Sequence, residues 1–267
     1  MLLVTDTAVD LPAGLARSPS VRIVPGEVRQ GTRPLVSSNE ELWDQIRRGA
    51  PLSTAPPTVA ALADAYRQGE VVCAIHVSEE LSATMTRAKE AANRIGPHLT
   101  LVDTRSFSVG AGLVVAAVYR SIDPSIPEEA AFDLASSLPG RLHTFVLVED
   151  VKSLKRSGRT GLLPEVHLHN RPVLLGIRGR AFYLEQPRDR SAGLASLVTH
   201  ARSSAQSGLG AWALGHGNAT DRDAVVQKLS KDLGRVPSFV TSLGPAVGVH
   251  VGPNAIVVGV ISGHVDL

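Results

Sequence analysis

Cysteine is almost absent from this 267-residue chain: Cys73 is the only one. A single thiol excludes an internal disulfide and a thiolate zinc cluster, and it fits a reducing compartment. Aromatic residues are also few, ten in all. None interleaves with a basic stripe, so the chain offers no stacking platform for single-stranded nucleic acid. The net charge is only +2; Arg greatly outnumbers Lys, but in no dense basic run, so nucleic acid is not expected as a partner. No apolar run nears the roughly 18 residues of a membrane span. Stable membrane insertion is therefore not expected, and contact with a membrane surface would be transient at most. The opening MLLVTDTAVDLP runs at once into charged and turn residues and does not read as a signal peptide, so a cytoplasmic protein is expected.

The usual catalytic signatures are missing too. There is no G-x-S-x-G elbow, Walker loop, H-E-x-x-H or G-x-G-x-x-G; the nearest approach, Gly110-Ala111-Gly112-Leu113-Val114-Val115, lacks the final small residue. Asp103, Ser82 and His250 can be imagined as a hydrolytic triad, but nine histidines in an α/β chain offer many such sets. His167 and His169 would share a face of an extended segment, half of a metal site. No third ligand is evident nearby, so surface histidines are the better reading.

What is present is the alternation of an α/β fold. Short β-branched runs at Leu2 to Thr5, Val21 to Pro25, Val71 to Val77, Leu99 to Asp103 and Thr144 to Glu149 lie between helix-period segments. Val71 to Ile75 is apolar on both parities, as a central strand covered on both faces should be. Leu81, Met85, Ala88, Ala92 and Ile95 mark one amphipathic helix, with hydroxyls at Ser78, Ser82 and Thr84 at its start. Leu194 to Ala205 marks a second, and Thr220 to Gly234 a third that is acid-first and glycine-last. Pro172 to Ile177 and Ala181 to Leu184 flank Arg178-Gly179-Arg180 like a hairpin, which implies a mixed or antiparallel sheet in the second half. Ser121 to Pro127 reads as a turn leading into a helix that ends near Pro139-Gly140. The expected organisation is a parallel α/β/α domain over 1–140 and an α/β domain with a mixed sheet over 141–267.

Four segments say more together than singly: Val4-Thr5-Asp6-Thr7; Ser53-Thr54-Ala55-Pro56; Val77-Ser78-Glu79-Glu80-Leu81-Ser82-Ala83-Thr84; and Gly248-Val249-His250-Val251-Gly252-Pro253. In this order and at these separations they resemble the DegV family, with its TDS, TSQP, SSxLSGT and GxHxGPG motifs. Ser157-Gly158-Arg159 is similar to that family's GGR or SGR turn, and Arg188 stands where the family has an arginine after the second hairpin. The resemblance spans the whole chain. It implies a two-domain DegV-like α/β fold that holds a long-chain fatty acid, such as palmitate, stearate or oleate, without cofactor, metal or catalytic machinery of its own. It further implies presentation of the carboxylate to a separate ATP-dependent fatty acid kinase. The fatty-acid-binding residues it points to are Ser53, Thr54, Ser82, Ala83 and His250, with Arg159 and Arg188 near the ligand or facing the partner.

Departures from the motifs bear on the site. Ala55 replaces a glutamine and Ala83 a glycine, and the methyl of Ala83 would matter wherever backbone approaches the head group closely. The residues themselves agree with an anion site at Ser82: a helix start offers N–H groups and the positive end of the dipole. A plain N-cap is the structural alternative for Ser82. For His250, set among glycines and a proline, the expectation is a turn or strand end. Two other functions stay open: a hydrolytic enzyme acting on acyl substrates, and a regulatory protein with a vestigial lipid site.

Overall fold

The computed structural model describes residues 1–267 except 36–38, 97, 123–124, 126, 150, 157–171, 206–207 and 266. The chain begins β1 (Leu2–Asp6), α1 (Ala13–Ala16), β2 (Val21–Val24), β3 (Glu27–Gln30), β4 (Arg33–Pro34), α2 (Asn39–Arg47) and β5 (Leu52–Ala55). It continues α3 (Val59–Tyr66), β6 (Val72–His76), α4 (Thr84–Ala92), β7 (Leu99–Asp103), α5 (Ser108–Arg120) and α6 (Glu128–Ser137). Then come β8 (Leu142–Val148), α7 (Val151–Arg156), β9 (Val173–Arg178), β10 (Arg180–Glu185) and α8 (Arg190–Ser204). Last are β11 (Leu209–His216), α9 (Arg222–Leu233), β12 (Phe239–Ser242), α10 (Pro245–Val251) and β13 (Ile256–Ser262).

The strands form three sheets. A parallel sheet runs β2-β1-β6-β7. A mixed sheet runs β10-β9-β8-β13-β11-β12, antiparallel except where β11 meets β12. A small antiparallel sheet, β4-β3-β5, stands apart. The fold is the mixed α/β architecture that the alternating runs imply.

Strand parity explains the layers. In β6, Cys73 and Ile75 join the central core, while Val72 and Ala74 join an outer layer with Leu62 and Tyr66 of α3 and Met85 and Ala88 of α4. Successive side chains point to opposite faces, and both are apolar because helices cover both. The mixed sheet repeats the arrangement: Val257 and Ile261 of β13 face the central core, whereas Ile256, Val258 and Val260 pack with Leu197 of α8 and Leu229 of α9.

Between the two large sheets lies α5, which contacts strands of both and is buried continuously from Ser108 to Val118. A helix with neighbours on every side is apolar all round. The Gly110-Ala111-Gly112 run therefore serves packing, not a phosphate. A Cβ on Gly259 of β13 would lie 2.7 Å from the Gly110 Cα. Because backbone meets backbone there, Gly259→Ala is expected to cost about 1–3 kcal/mol in denaturant unfolding, and an unchanged midpoint would mean that the two elements have room to spare.

Candidate functional site

The C-terminal ends of β1 and β6, where open parallel sheets place their ligands, border a cavity of about 530 Å³. One end is walled by Thr54 of β5, the Val77 to Thr84 segment and His250 of α10. Exposed Glu79, Glu80 and Ala83 make this end the mouth. Much of the remaining wall is apolar: Val146 of β8, Leu154 of α7, Leu175 and Ile177 of β9 and Ala181 of β10, all buried. The cavity thus combines a polar opening with an apolar lining from the inner face of the mixed sheet.

The mouth is built from distant parts of the chain. Thr54 Oγ1 lies 2.8 Å from His250 Nε2, which links β5 to α10. His250 belongs to the last turn of a helix, not to the expected turn or strand end. Pro245 starts α10 and Gly252, at φ 78°, ends it, so the proline and glycine mark the boundaries of an element that is too short to show a period. Ser82 lines the mouth, its Oγ 2.9 Å from Thr84 Oγ1, and accepts the Thr84 N–H at 3.2 Å. It therefore supports the start of α4 while facing the cavity, so the cap and the ligand readings are compatible. Ala83 sits at φ −71°, ψ 5°, a backbone that needs no glycine, and its side chain is exposed.

Two expected residues stand apart. Ser53 is exposed and absent from the cavity wall, because side chains alternate along β5 and Thr54 takes the inward place. Arg188 is 85% exposed and, among the described residues, pairs with its neighbour Asp189 at 3.1 Å, outside the cavity lining. Arg159, Ser157, His167 and His169 lie outside the described residues. The imagined triad is not assembled: Asp103 accepts from the Arg105 and Glu79 N–H groups, while His250 Nε2 meets Thr54 and Ser82 meets Thr84. Among the described residues no group of three or more His, Cys, Asp or Glu could hold a metal ion, and no helix is long and apolar enough to cross a membrane.

A model of the DegV family, described as "Uncharacterised protein, DegV family", matches residues 1–263. The chain belongs to the DegV family. A DegV domain-containing protein of Mycobacterium tuberculosis is 28% identical over 267 residues, 96% of this chain and 95% of that protein. Among solved structures, a stearic acid-binding protein from Eubacterium ventriosum superposes with a TM-score of 0.88 at 19% identity, over 98% of each chain. A DegV family protein from Thermus thermophilus, solved for its fatty acid binding, gives 0.84 at 24% identity, over 98% of this chain and 99% of its own.

The DegV motifs converge in space. Thr7, Thr54, Ser82 and His250, one from each of the four segments, all border the same cavity. Residues that sequence reading passed over hold them there. Arg87 of α4 donates to the carbonyls of Pro56 (2.8 Å) and Pro57 (3.0 Å), fastening the end of β5 to the helix that Ser82 supports. Arg190 makes paired 2.7 Å contacts with Asp221 and reaches the Asn254 carbonyl at 2.8 Å, which anchors the segment after α10. Asp221 is held below the usual carboxylate range by that arginine.

Beneath the mouth of the DegV cavity, Asp6 does structural work. Its Oδ2 is 2.9 Å from His76 Nδ1 and accepts the Val77 N–H, and Oδ1 accepts the Ala8 N–H. His76 Nε2 lies 2.8 Å from the Tyr66 hydroxyl, so one fully buried chain of hydrogen bonds pins β1, β6 and α3 together. Asp10 bonds Ser108 Oγ at 2.6 Å and the Gly244 N–H at 2.7 Å, tying the loop after β1 to the starts of α5 and α10. Burial pushes the Cys73 thiol up to about 12, which leaves it without thiolate reactivity near neutral pH.

Proposed function

We propose that this chain is a non-enzymatic lipid-binding protein: it holds a long-chain fatty acid with the carboxylate at the mouth, against Thr54, Ser82 and His250, and the acyl chain against Leu175, Ile177 and Ala181. What carries the reading is the lining of one cavity, which sets hydroxyls and an imidazole at its opening beside a buried apolar wall. The fatty acid binding described for two relatives of the same fold supports it. The start of α4 favours an anion without a buried cation. Burying about 14 to 17 methylenes at about 0.8 kcal/mol each gives a gross term on the order of 11 to 14 kcal/mol, before association costs. The head group orients the ligand, and the chain supplies most of the affinity.

The same proposal has the mouth present the carboxylate to a separate ATP-dependent kinase in the cytoplasm, the exposed carboxylate end being the one a partner can reach. Isolated protein is then expected to form no acyl phosphate from ATP until that kinase is added.

The test is lipid identification by native mass spectrometry on the protein as purified, followed by thermal unfolding after delipidation. One fatty acid of about fourteen to eighteen carbons is expected. Palmitate or oleate at about a hundred times Kd should add about 2.7 kcal/mol of stability, or roughly 5–10 °C in Tm for a chain of this size. No bound lipid together with an unmoved Tm overturns the reading.

A further inference from the structure

The tip of the β9–β10 hairpin is docked on the segment that carries Ser82. Ser78, fully buried, donates its hydroxyl to the Gly179 carbonyl at 2.5 Å, and the Gly179 N–H donates to the Arg105 carbonyl at 2.6 Å. The same serine shapes the lip of the cavity. Its carbonyl accepts the N–H groups of Leu81 and Ser82, each at 3.1 Å, and its hydroxyl accepts the Glu80 N–H at 3.3 Å. One residue therefore relates the position of Ser82, through its carbonyl, to that of the hairpin, through its hydroxyl, and Ile177 and Ala181 of that hairpin line the cavity.

Among the described residues the two sides of the cavity are not fastened equally. The α10 side is held by the Thr54–His250 contact, by Arg87 on two carbonyls and by Asp10 on Ser108 and Gly244. Among the described residues the hairpin forms the outer edge of the mixed sheet, where β9 is the strand neighbour of β10. Its tip, with Gly179 at φ 84°, meets the first half of the chain through the two bonds around Gly179. A buried chain must pass a transient opening, and a seam with few bonds opens at low cost.

We propose that Ser78 is a positioning residue for the fatty-acid site, its hydroxyl clasping the Ser82 lip to the hairpin tip along the seam that parts to admit and release the acyl chain. This rests on the fatty-acid reading above. The two can fail separately.

Stopped-flow binding of cis-parinaric acid to delipidated protein tests it, with wild type, Ser78→Ala, Ser82→Ala and Gly179→Ala compared and their folding checked by circular dichroism. Ser78→Ala is expected to speed both association and dissociation about tenfold, the worth of one hydrogen bond, with Kd within about threefold of wild type. Ser82→Ala, which removes a ligand contact and leaves the clasp, should speed dissociation alone. Gly179→Ala attacks the clasp from the other side, through strain at a positive φ, and a Cβ 3.3 Å from Arg105 Nη2; it should raise both rates as well. Combining Ser78→Ala with Gly179→Ala should give the rates of one variant and not their product, because both break the same contact. Unchanged rates in a folded Ser78→Ala that still binds, even with lowered stability, overturn the clasp; if that variant does not fold, unchanged rates in Gly179→Ala do so. A wild type that fails to bind the probe overturns the fatty-acid reading and this inference with it.

Discussion

In Ala181→Trp, affinity for a sixteen-carbon acid is expected to fall more than a thousandfold, while an eight-carbon acid keeps nearly its wild-type affinity. Ala181 is buried on the edge strand β10 and lines the apolar wall of the cavity with Leu175 and Ile177. An indole there occupies space that the acyl chain would fill. If it displaces about six methylenes at about 0.8 kcal/mol each, the loss is about 5 kcal/mol, a factor of several thousand in Kd. The mouth residues are untouched, so a short chain still finds its head-group contacts. Overpacking is limited because the new side chain enters a cavity and not a filled core. Isothermal titration across a series of chain lengths reads the result. Equal palmitate affinity in variant and wild type would place the acyl chain elsewhere.

The parts of the fold that could be read from sequence are those with a clear period or a strong boundary. β1, β6 and β7 stand out as β-branched runs, and the Arg178-Gly179-Arg180 turn is the hairpin tip that its flanking strands imply. The helix that ends at Gly234 does so in the left-handed conformation that glycine accepts at low cost. The central helix α5 was illegible for a physical reason: buried on every side, it carries no polar face and hence no amphipathic signal. The small sheet β4-β3-β5 gives no pattern because its strands are only two to four residues long and hold a single buried residue, Leu52.

The site divides in the same way. Ser82, Thr54 and His250, to which the DegV motifs point, all border one cavity. Ser53, named together with Thr54, lies on the other face of β5, because neighbouring residues of a strand point to opposite sides. Arg87, Arg190 and Asp10 gave no signal. Their partners are backbone carbonyls and N–H groups or side chains 30 or more residues away, and no local pattern encodes such contacts.

Asp10 also makes stability depend on pH in the acid-to-neutral range. Its carboxyl is buried, and burial raises its pKa from 3.8 to about 6, against the opposing hydrogen bonds from Ser108 and Gly244 and with a smaller push from Asp6. The folded protein therefore keeps a proton that the unfolded chain has released between about pH 4 and pH 6. Proton binding favours the folded state in that window. The contribution of Asp10 is fully present below about pH 4 and is lost as pH rises through 6, the reverse of an ion-paired carboxylate. A shift of about two units corresponds to about 3 kcal/mol. Asp10→Asn keeps the shape, can still accept from the Gly244 N–H and can donate to a Ser108 hydroxyl that now accepts, but it does not titrate. The unfolding free energy of wild type minus that of the variant, from denaturant curves at several pH values, is then expected to fall by about 3 kcal/mol between pH 4 and pH 7. Groups common to both proteins cancel in that difference. Gly244 directly precedes α10, so the measurement also reports how firmly the helix bearing His250 is held. A difference that stays flat across the window would show that Asp10 gains or loses no proton there, and the burial argument for this carboxyl would be wrong.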